Sequence, residues 1–138
     1  MRSGLTVPLC CLLAVVAWTI GLVAALTLAR LRHLRAGGSV RDLGVSDDRR
    51  LIWRLFRAHA NAVENLPLFA AVVLVAAVAG REGPVLDVLA GTYLAARIAQ
   101  SVSHVAPGAG LRFNVRFGFF LVQLVCLAAF IVVVAAPA

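Results

Sequence analysis

Apolar residues gather in four runs, at roughly residues 5–29, 56–78, 85–105 and 113–134, separated by links where charges, glycine and proline concentrate. Each run is long enough to cross a bilayer as a helix, which takes about 20 residues. A membrane strand needs only about 9–11 residues and alternates apolar with polar positions, and these runs do not alternate. The pattern predicts an all-α membrane protein, with residues 1–138 forming a single four-helix transmembrane bundle. The first run exceeds the about 7–15 apolar residues of a signal peptide and stops at an arginine cluster instead of a cleavage site, so it is expected to stay as a helix. The links at 79–84 and 106–112 are short and hold Gly80, Gly83, Pro84, Pro107, Gly108 and Gly110. Such residues end helices, and short links make the joined helices antiparallel neighbours.

Composition agrees. The 138 residues are 62% hydrophobic, with a mean hydropathy of +0.98, against about 45–50% apolar in soluble domains. The net charge of +7 comes from arginine alone, since the chain has no lysine. No soluble domain is left over to carry that charge to nucleic acid, so a nucleic-acid partner is excluded. Ten arginines (Arg30, Arg32, Arg35, Arg41, Arg49, Arg50, Arg54, Arg57, Arg112 and Arg116) fall on the side where the first and third links open, against Arg2 and Arg81 on the other. The positive-inside rule then predicts cytoplasmic arginine-rich loops and both termini outside, in what is expected to be a bacterial inner membrane. Cys10, Cys11 and Cys126 lie within apolar runs, without CxxC spacing or a nearby histidine. No metal site is expected, and the three thiols are read as packing groups.

A charge inside hydrocarbon costs a few kcal/mol or more unless it is paired or hydrated, so the polar residues within the runs carry information. On the second helix Arg57, Asn61 and Glu64 share one face. On the third, Arg97, Gln100, Ser101 and His104 do the same. On the fourth, Arg112, Arg116, Phe119, Phe120 and Gln123 share a face, and Arg30 closes the first helix. All these patches sit at the arginine-rich ends of their helices, where together they can line a polar cavity. Its positive potential suits an anionic ligand held by arginine forks, with Glu64 taking an arginine or a ligand ammonium group. A zwitterionic peptide satisfies both signs. Structural readings stand beside this one: Arg57 and Glu64 as an ion pair between helices, Gln100, Ser101 and Gln123 as interhelix hydrogen bonds, and the loop arginines as headgroup contacts.

The segment Arg57-Ala-His-Ala-Asn61-Ala-Val-Glu64-Asn65-Leu-Pro67-Leu-Phe69 resembles the signature RAHxNxxENxPxF of the MAPEG superfamily, the membrane-associated proteins in eicosanoid and glutathione metabolism. The four runs and the basic link before the second extend the likeness over almost the whole chain. The resemblance implies a homotrimer of four-helix bundles with glutathione bound between subunits, facing the cytoplasm. It implies that Arg30, Asn61 and Glu64 hold glutathione, with Arg57, Arg97 and His104 in the same binding set. Arg116 matches the arginine that stabilises the glutathione thiolate, because a nearby cation favours the charged form of a thiol.

The chain departs from the family pattern at several positions. Ala60 replaces a basic residue. Gln100 and His104 replace a histidine and a tyrosine. Phe117 and Phe120 stand where catalytic members have a serine and a tyrosine. Two functions follow from the resemblance. One is a glutathione-dependent enzyme that conjugates or reduces lipophilic electrophiles arriving through membrane lipid. The other is a non-catalytic protein of the same fold that binds a lipid or a protein partner. A small transporter is disfavoured, because its substrate site would lie near the bilayer midplane between repeats and these polar groups cluster at one end.

Overall fold

The computed structural model describes residues 4–107 and 112–137. Four α-helices form it: α1 (Val7–Arg35), α2 (Leu51–Val78), α3 (Pro84–Val105) and α4 (Arg112–Ala135), with one 3-10 turn, Val40–Gly44, in the long first loop. No strand occurs among the described residues. Arg2, Gly108, Gly110 and the side chain of Arg112, used above, lie outside the described residues.

The helices outrun the hydrophobic pattern at their arginine-rich ends. Helix α1 continues past residue 29 to Arg35, and α2 starts at Leu51 instead of 56. Arginine is a good helix former, and Arg32, His33 and Arg35 in the last turn of α1 complement the negative end of its dipole. The apolar stretch marks what lipid can cover, while the helix ends where its cap lies. Both α1 and α2 close in Schellman caps. Gly38 N–H donates to His33 O (3.0 Å) and Gly37 N–H to Leu34 O (3.1 Å); Arg81 N–H donates to Ala76 O (2.9 Å) and Gly80 N–H to Ala77 O (3.2 Å). The cap position needs a left-handed backbone, which Gly37 (φ 85°) and Gly80 (φ 63°) supply without a Cβ penalty.

Consecutive helices pack against each other, and α1 also meets α3 and α2 meets α4. The apolar core fills the arginine-poor part of the bundle with Val15 from α1, Phe69 and Val73 from α2, Leu86 and Tyr93 from α3 and Phe130 from α4. Phe69 stacks on Tyr93 with ring centroids 4.0 Å apart. Toward the arginine-rich end the contacts narrow to Leu22, Ala58 and Ala62, and the two alanines let backbones approach closely.

The outside of the bundle is apolar as well. Leu13 and Ile20 of α1, Leu74 and Val75 of α2, and Val125, Ile131 and Val132 of α4 are all exposed. Helices α1, α2 and α4 are long and apolar enough to cross a membrane, yet only 28%, 28% and 22% of their spanning windows are buried inside the bundle. Apolar surface on that scale needs lipid around it, so this is an integral membrane protein. The expected fourth span differs. Helix α3, 22 residues long, is not among the helices apolar enough by composition, because Asp87, Arg97, Gln100, Ser101, Ser103 and His104 interrupt it. Four of these, Arg97, Gln100, Ser101 and His104, are buried against the other helices, so α3 spends its polar groups inward.

The first loop is organised around Asp42. Ser39 caps the 3-10 turn by accepting from Arg41 N–H (3.2 Å), while Ser39 N–H donates to the Asp42 carboxylate (3.0 Å), a reciprocal capping box. His33 Nε2 lies 3.4 Å from the same carboxylate, and Arg50 Nη1 donates to Asp42 O (2.9 Å). The Ser39 N–H, helped by His33 and the Arg50 charge, holds the Asp42 carboxyl below its usual value. A lowered value means that the ionised form supports the fold. Its contribution is present at neutral pH and is lost as pH falls through the folded-state value. Hydrogen exchange at the Ser39 amide, corrected for intrinsic rate, should therefore be protected at pH about 7 and lose that protection below about 3, under the ordinary carboxylate range. Equal protection at both values would show that the carboxylate is not what holds the turn.

Candidate functional site

The polar residues of α2, α3 and α4 meet at the arginine-rich end, where their spacing places them. At the centre lies Arg97, 1% exposed. Its Nη1 donates to Asn61 O of α2 (3.2 Å) and to Gln100 Oε1 one turn on (3.0 Å). Its Nη2 donates to the Tyr93 hydroxyl (3.5 Å), and the guanidinium carbon sits 5.8 Å from the centre of the Tyr93 ring. Tyr93 in turn donates to Asn65 O (3.3 Å). Gln100 passes the network to α4: its Oε1 also accepts from Gln123 Nε2 (3.0 Å), and its Nε2 donates to Arg116 O (3.4 Å). One buried face of α3 thus ties α2 to α4 through side-chain bonds.

This face is closed. Arg97, Gln100, Ser101, His104 and Gln123 are each at most 5% exposed, so the expected open polar cavity is, on α3, an enclosed network. Among the described residues the guanidinium of Arg97 meets only neutral acceptors, and its Nε has no hydrogen-bond partner. A ligand does not reach Arg97 without movement of the bundle, and its charge acts from beneath the surface.

Other predicted residues lie at the edge. Asn61 is half-buried, with its Nδ2 3.4 Å from Nε2 of the buried His104. Asn65 Nδ2 donates to Asn61 O (2.9 Å). Arg116 is half-buried, and its Nε donates to Ser103 O (3.4 Å), which anchors the head of α4 to the end of α3. Arg30 is half-buried, with an enclosed Nε that has no hydrogen-bond partner among the described residues. The ion pair considered for Arg57 and Glu64 does not form. Arg57 Nη1 instead lies 3.4 Å from Asp48 Oδ1 in the loop. Glu64 is exposed and makes no salt bridge among the described residues.

Beside the network runs a groove of about 480 Å³, lined by Trp18, Gly21, Leu22 and Ala25 of α1, Leu55 of α2, and Ser101, Val102 and Val105 of α3. Its walls are apolar apart from Ser101, whose hydroxyl is committed to Arg97 O (3.0 Å). Tyr93 is the network member that sequence reasoning missed. It precedes Arg97 by one turn on the same face, so extending the face back by four residues would have found it.

The residues present fit a glutathione molecule by donor chemistry. Arg30 and Arg116 would offer cations for its carboxylates and sulfur, Glu64, without a salt bridge among the described residues, an anion for its ammonium group, and Asn61 an amide. Among the described residues, no group of three or more histidines, cysteines or carboxylates is placed to hold a metal ion. Neither the curated proteins nor the solved structures gave a match. The family model described as the MAPEG family matches residues 8–136, essentially the whole chain; with the signature around Asn61 and Glu64 on one helix and the polar end of the bundle beside it, the chain belongs to the MAPEG family.

Proposed function

We propose that this protein binds glutathione at the arginine-rich, cytoplasm-facing end of the bundle and uses it to conjugate or reduce lipophilic electrophiles that arrive through the membrane. In this reading α3 is a fourth span: at about 1.5 Å per residue its 22 residues match a hydrocarbon core about 30 Å thick, and its polar face is sheltered by the other three. Both termini lie outside.

The supporting observation is Glu64. Within the signature, Ala58, Ala62, Asn65 and Phe69 face the bundle and are buried, whereas Glu64 faces out and is exposed. A carboxylate on the outer face of a membrane helix needs a partner from outside the chain. An ammonium group of a peptide lodged against a neighbouring subunit meets that need, and three copies closing around the bundle axis would place such a ligand at each of three interfaces. Arg30, Arg57, Asn61 and Arg116 border the same end and supply positive charge and an amide. Arg97 and His104 act from within, Arg97 as a fixed charge and His104 as the support for Asn61. Bound glutathione would supply a sulfur nucleophile, and the apolar groove along α1 and α3 suits the hydrocarbon part of an electrophile.

Calorimetric titration of the purified protein with glutathione tests this. Glu64→Gln keeps the shape and removes the charge, so binding should weaken about tenfold, the low end for a hydrogen bond to an ionised group. Saturable binding that Glu64→Gln leaves unchanged would reject the site. Phe117 and Phe120 favour a second reading, a binding protein without turnover, because they withhold the hydroxyl donors of the catalytic members. Turnover of a reactive aryl halide or a lipid hydroperoxide separates the two.

A further inference from the structure

Away from the Glu64 signature, the C-terminal end of α1 and the start of α2 enclose a cleft of about 390 Å³, lined by Ala29, Arg32 and His33 on one side and Arg50, Leu51 and Ile52 on the other. That volume lies within the usual range of small-molecule sites, about 300–1,000 Å³. Its rim is cationic and its floor aliphatic. We propose that this cleft is a binding site for an anionic phospholipid, with the phosphate between Arg32 and Arg50 and the upper acyl chain against Ala29, Leu51 and Ile52.

The charge balance around the cleft carries the assignment. Three carboxylates lie in the loop between α1 and α2, and each is already engaged. Asp42 accepts from Ser39 N–H and faces His33. Asp47 accepts from Arg49 N–H (2.9 Å). Asp48 faces Arg57. None of the three opposes Arg32, which is exposed and makes no salt bridge among the described residues. An exposed guanidinium at the end of a membrane helix, above an aliphatic floor, lies at the depth of lipid phosphates.

The cleft is also built to hold its shape. Arg50 is fixed by its bond to Asp42 O (2.9 Å), and Asp42 is fixed by the capping box. The loop passes so close over the His33 ring that a Cβ on Gly38 would overlap the imidazole. A scattered group of surface arginines has no such framework. The chemistry selects a phosphate diester carrying a net negative charge. A zwitterionic lipid brings its own cation to the rim and gains little there.

The test uses the full-length protein with Trp18→Phe, in phosphatidylcholine vesicles containing a small fraction of brominated phosphatidylglycerol or brominated phosphatidylcholine. Quenching of Trp53, in the first turn of α2 beside the cleft, reports lipid occupancy. A near-surface arginine contributes about fivefold to anionic-lipid affinity, so the preference for phosphatidylglycerol should reach about 30-fold with two arginines. It should fall about fivefold in Arg32→Gln and approach parity in Arg32→Gln/Arg50→Gln. Arg41→Gln/Arg49→Gln removes equal charge outside the cleft and should change the preference less than twofold. Equal losses in the two double variants would reduce the effect to general surface charge and overturn the proposal. Loss of the preference in millimolar inorganic phosphate would assign the cleft to free phosphate and overturn the lipid. Arg32→Gln alone keeps the test readable if loss of Arg50 disturbs the loop. Glutathione binding is expected to be unchanged in Arg32→Gln, so failure of this proposal and failure of the glutathione site give different results.

Discussion

Arg97→Ala is expected to destabilise the bundle by about 3 kcal/mol, whereas Arg97→Met is expected to stay within about 1 kcal/mol of the parent protein. The two substitutions separate volume from charge. Alanine leaves a hole where the largest fully buried side chain stood, and truncating a long side chain in a packed interior costs about 2–5 kcal/mol. Interhelix hydrogen bonds in membranes average only about 0.6 kcal/mol each; Arg97 makes one, to Asn61 O of α2, while its bonds to Gln100 Oε1 and the Tyr93 hydroxyl stay within α3, so its hydrogen bonding adds about 1 kcal/mol. Methionine fills most of the space and forfeits the same bonds. It also ends the cost of burying a guanidinium opposite neutral groups alone, a few kcal/mol in hydrocarbon. Two of the acceptors it abandons keep other donors, Gln100 Oε1 retaining Gln123 Nε2 and Asn61 O retaining Asn65 Nδ2, and the third, the Tyr93 hydroxyl, still donates to Asn65 O. Unfolding of each variant in mixed micelles, followed by circular dichroism, gives the comparison. If methionine cost as much as alanine, the hydrogen bonds and not the volume would be what Arg97 contributes.

That prediction bears on why the residue is there. A buried charge with no counterion among the described residues does not improve packing over an apolar residue of similar size. It supplies positive potential near Asn61 and Arg116, at the end of the bundle that is already richest in arginine. A methionine variant that folds as well as the parent and binds an anionic ligand less tightly would assign Arg97 to that potential. Such a residue acts through the field of the site and not by contact.

The sequence made the helices and their polar faces legible because both depend on local periodicity. Runs of about 20 apolar residues announce spans, and spacings of three, four and seven place Arg97, Gln100, Ser101 and His104 on one face. Depth and pairing were not legible. Spacing says that Arg97 and Gln100 point the same way; it does not say that α2 and α4 close over them. Arg57 and Glu64 share a face of α2, yet Arg57 turns to Asp48 because the loop folds back at Asp47, where Arg50 N–H donates to Asp47 O (2.9 Å). No helical periodicity encodes that return. The extension of α1 to Arg35 was hidden for a different reason: hydropathy measures what lipid covers, and a helix rich in arginine persists beyond it. The capping box at Ser39 and Asp42 went unread, although its spacing of three residues is itself a signal.

In the proposed complex, Arg116→Ala should lower the acid dissociation constant of bound glutathione about 100-fold, whereas Arg116→Lys should lower it far less. Arg116 stands one turn into α4, half-buried, with Nε donating to the Ser103 carbonyl (3.4 Å) and its own carbonyl accepting from Gln100 Nε2 (3.4 Å). Two bonds to α3 thus fix where this cation can point. A cation within about 4–6 Å of an ionisable group shifts its proton equilibrium by about ten- to a thousandfold toward the charged form, and at a partly hydrated site the middle of that range applies. Phe117 and Phe120 offer no hydroxyl to share the task, so in the proposed complex the thiolate would depend on Arg116. Near-ultraviolet thiolate absorbance, recorded against pH at saturating glutathione, measures the dissociation constant directly. Lysine keeps the charge without the planar fork, which separates the need for a cation from the need for the Ser103 bond. If the titration of bound thiol were the same in the parent and in Arg116→Ala, the sulfur would lie elsewhere, and the remaining role of Arg116 would be to pin α4 to α3.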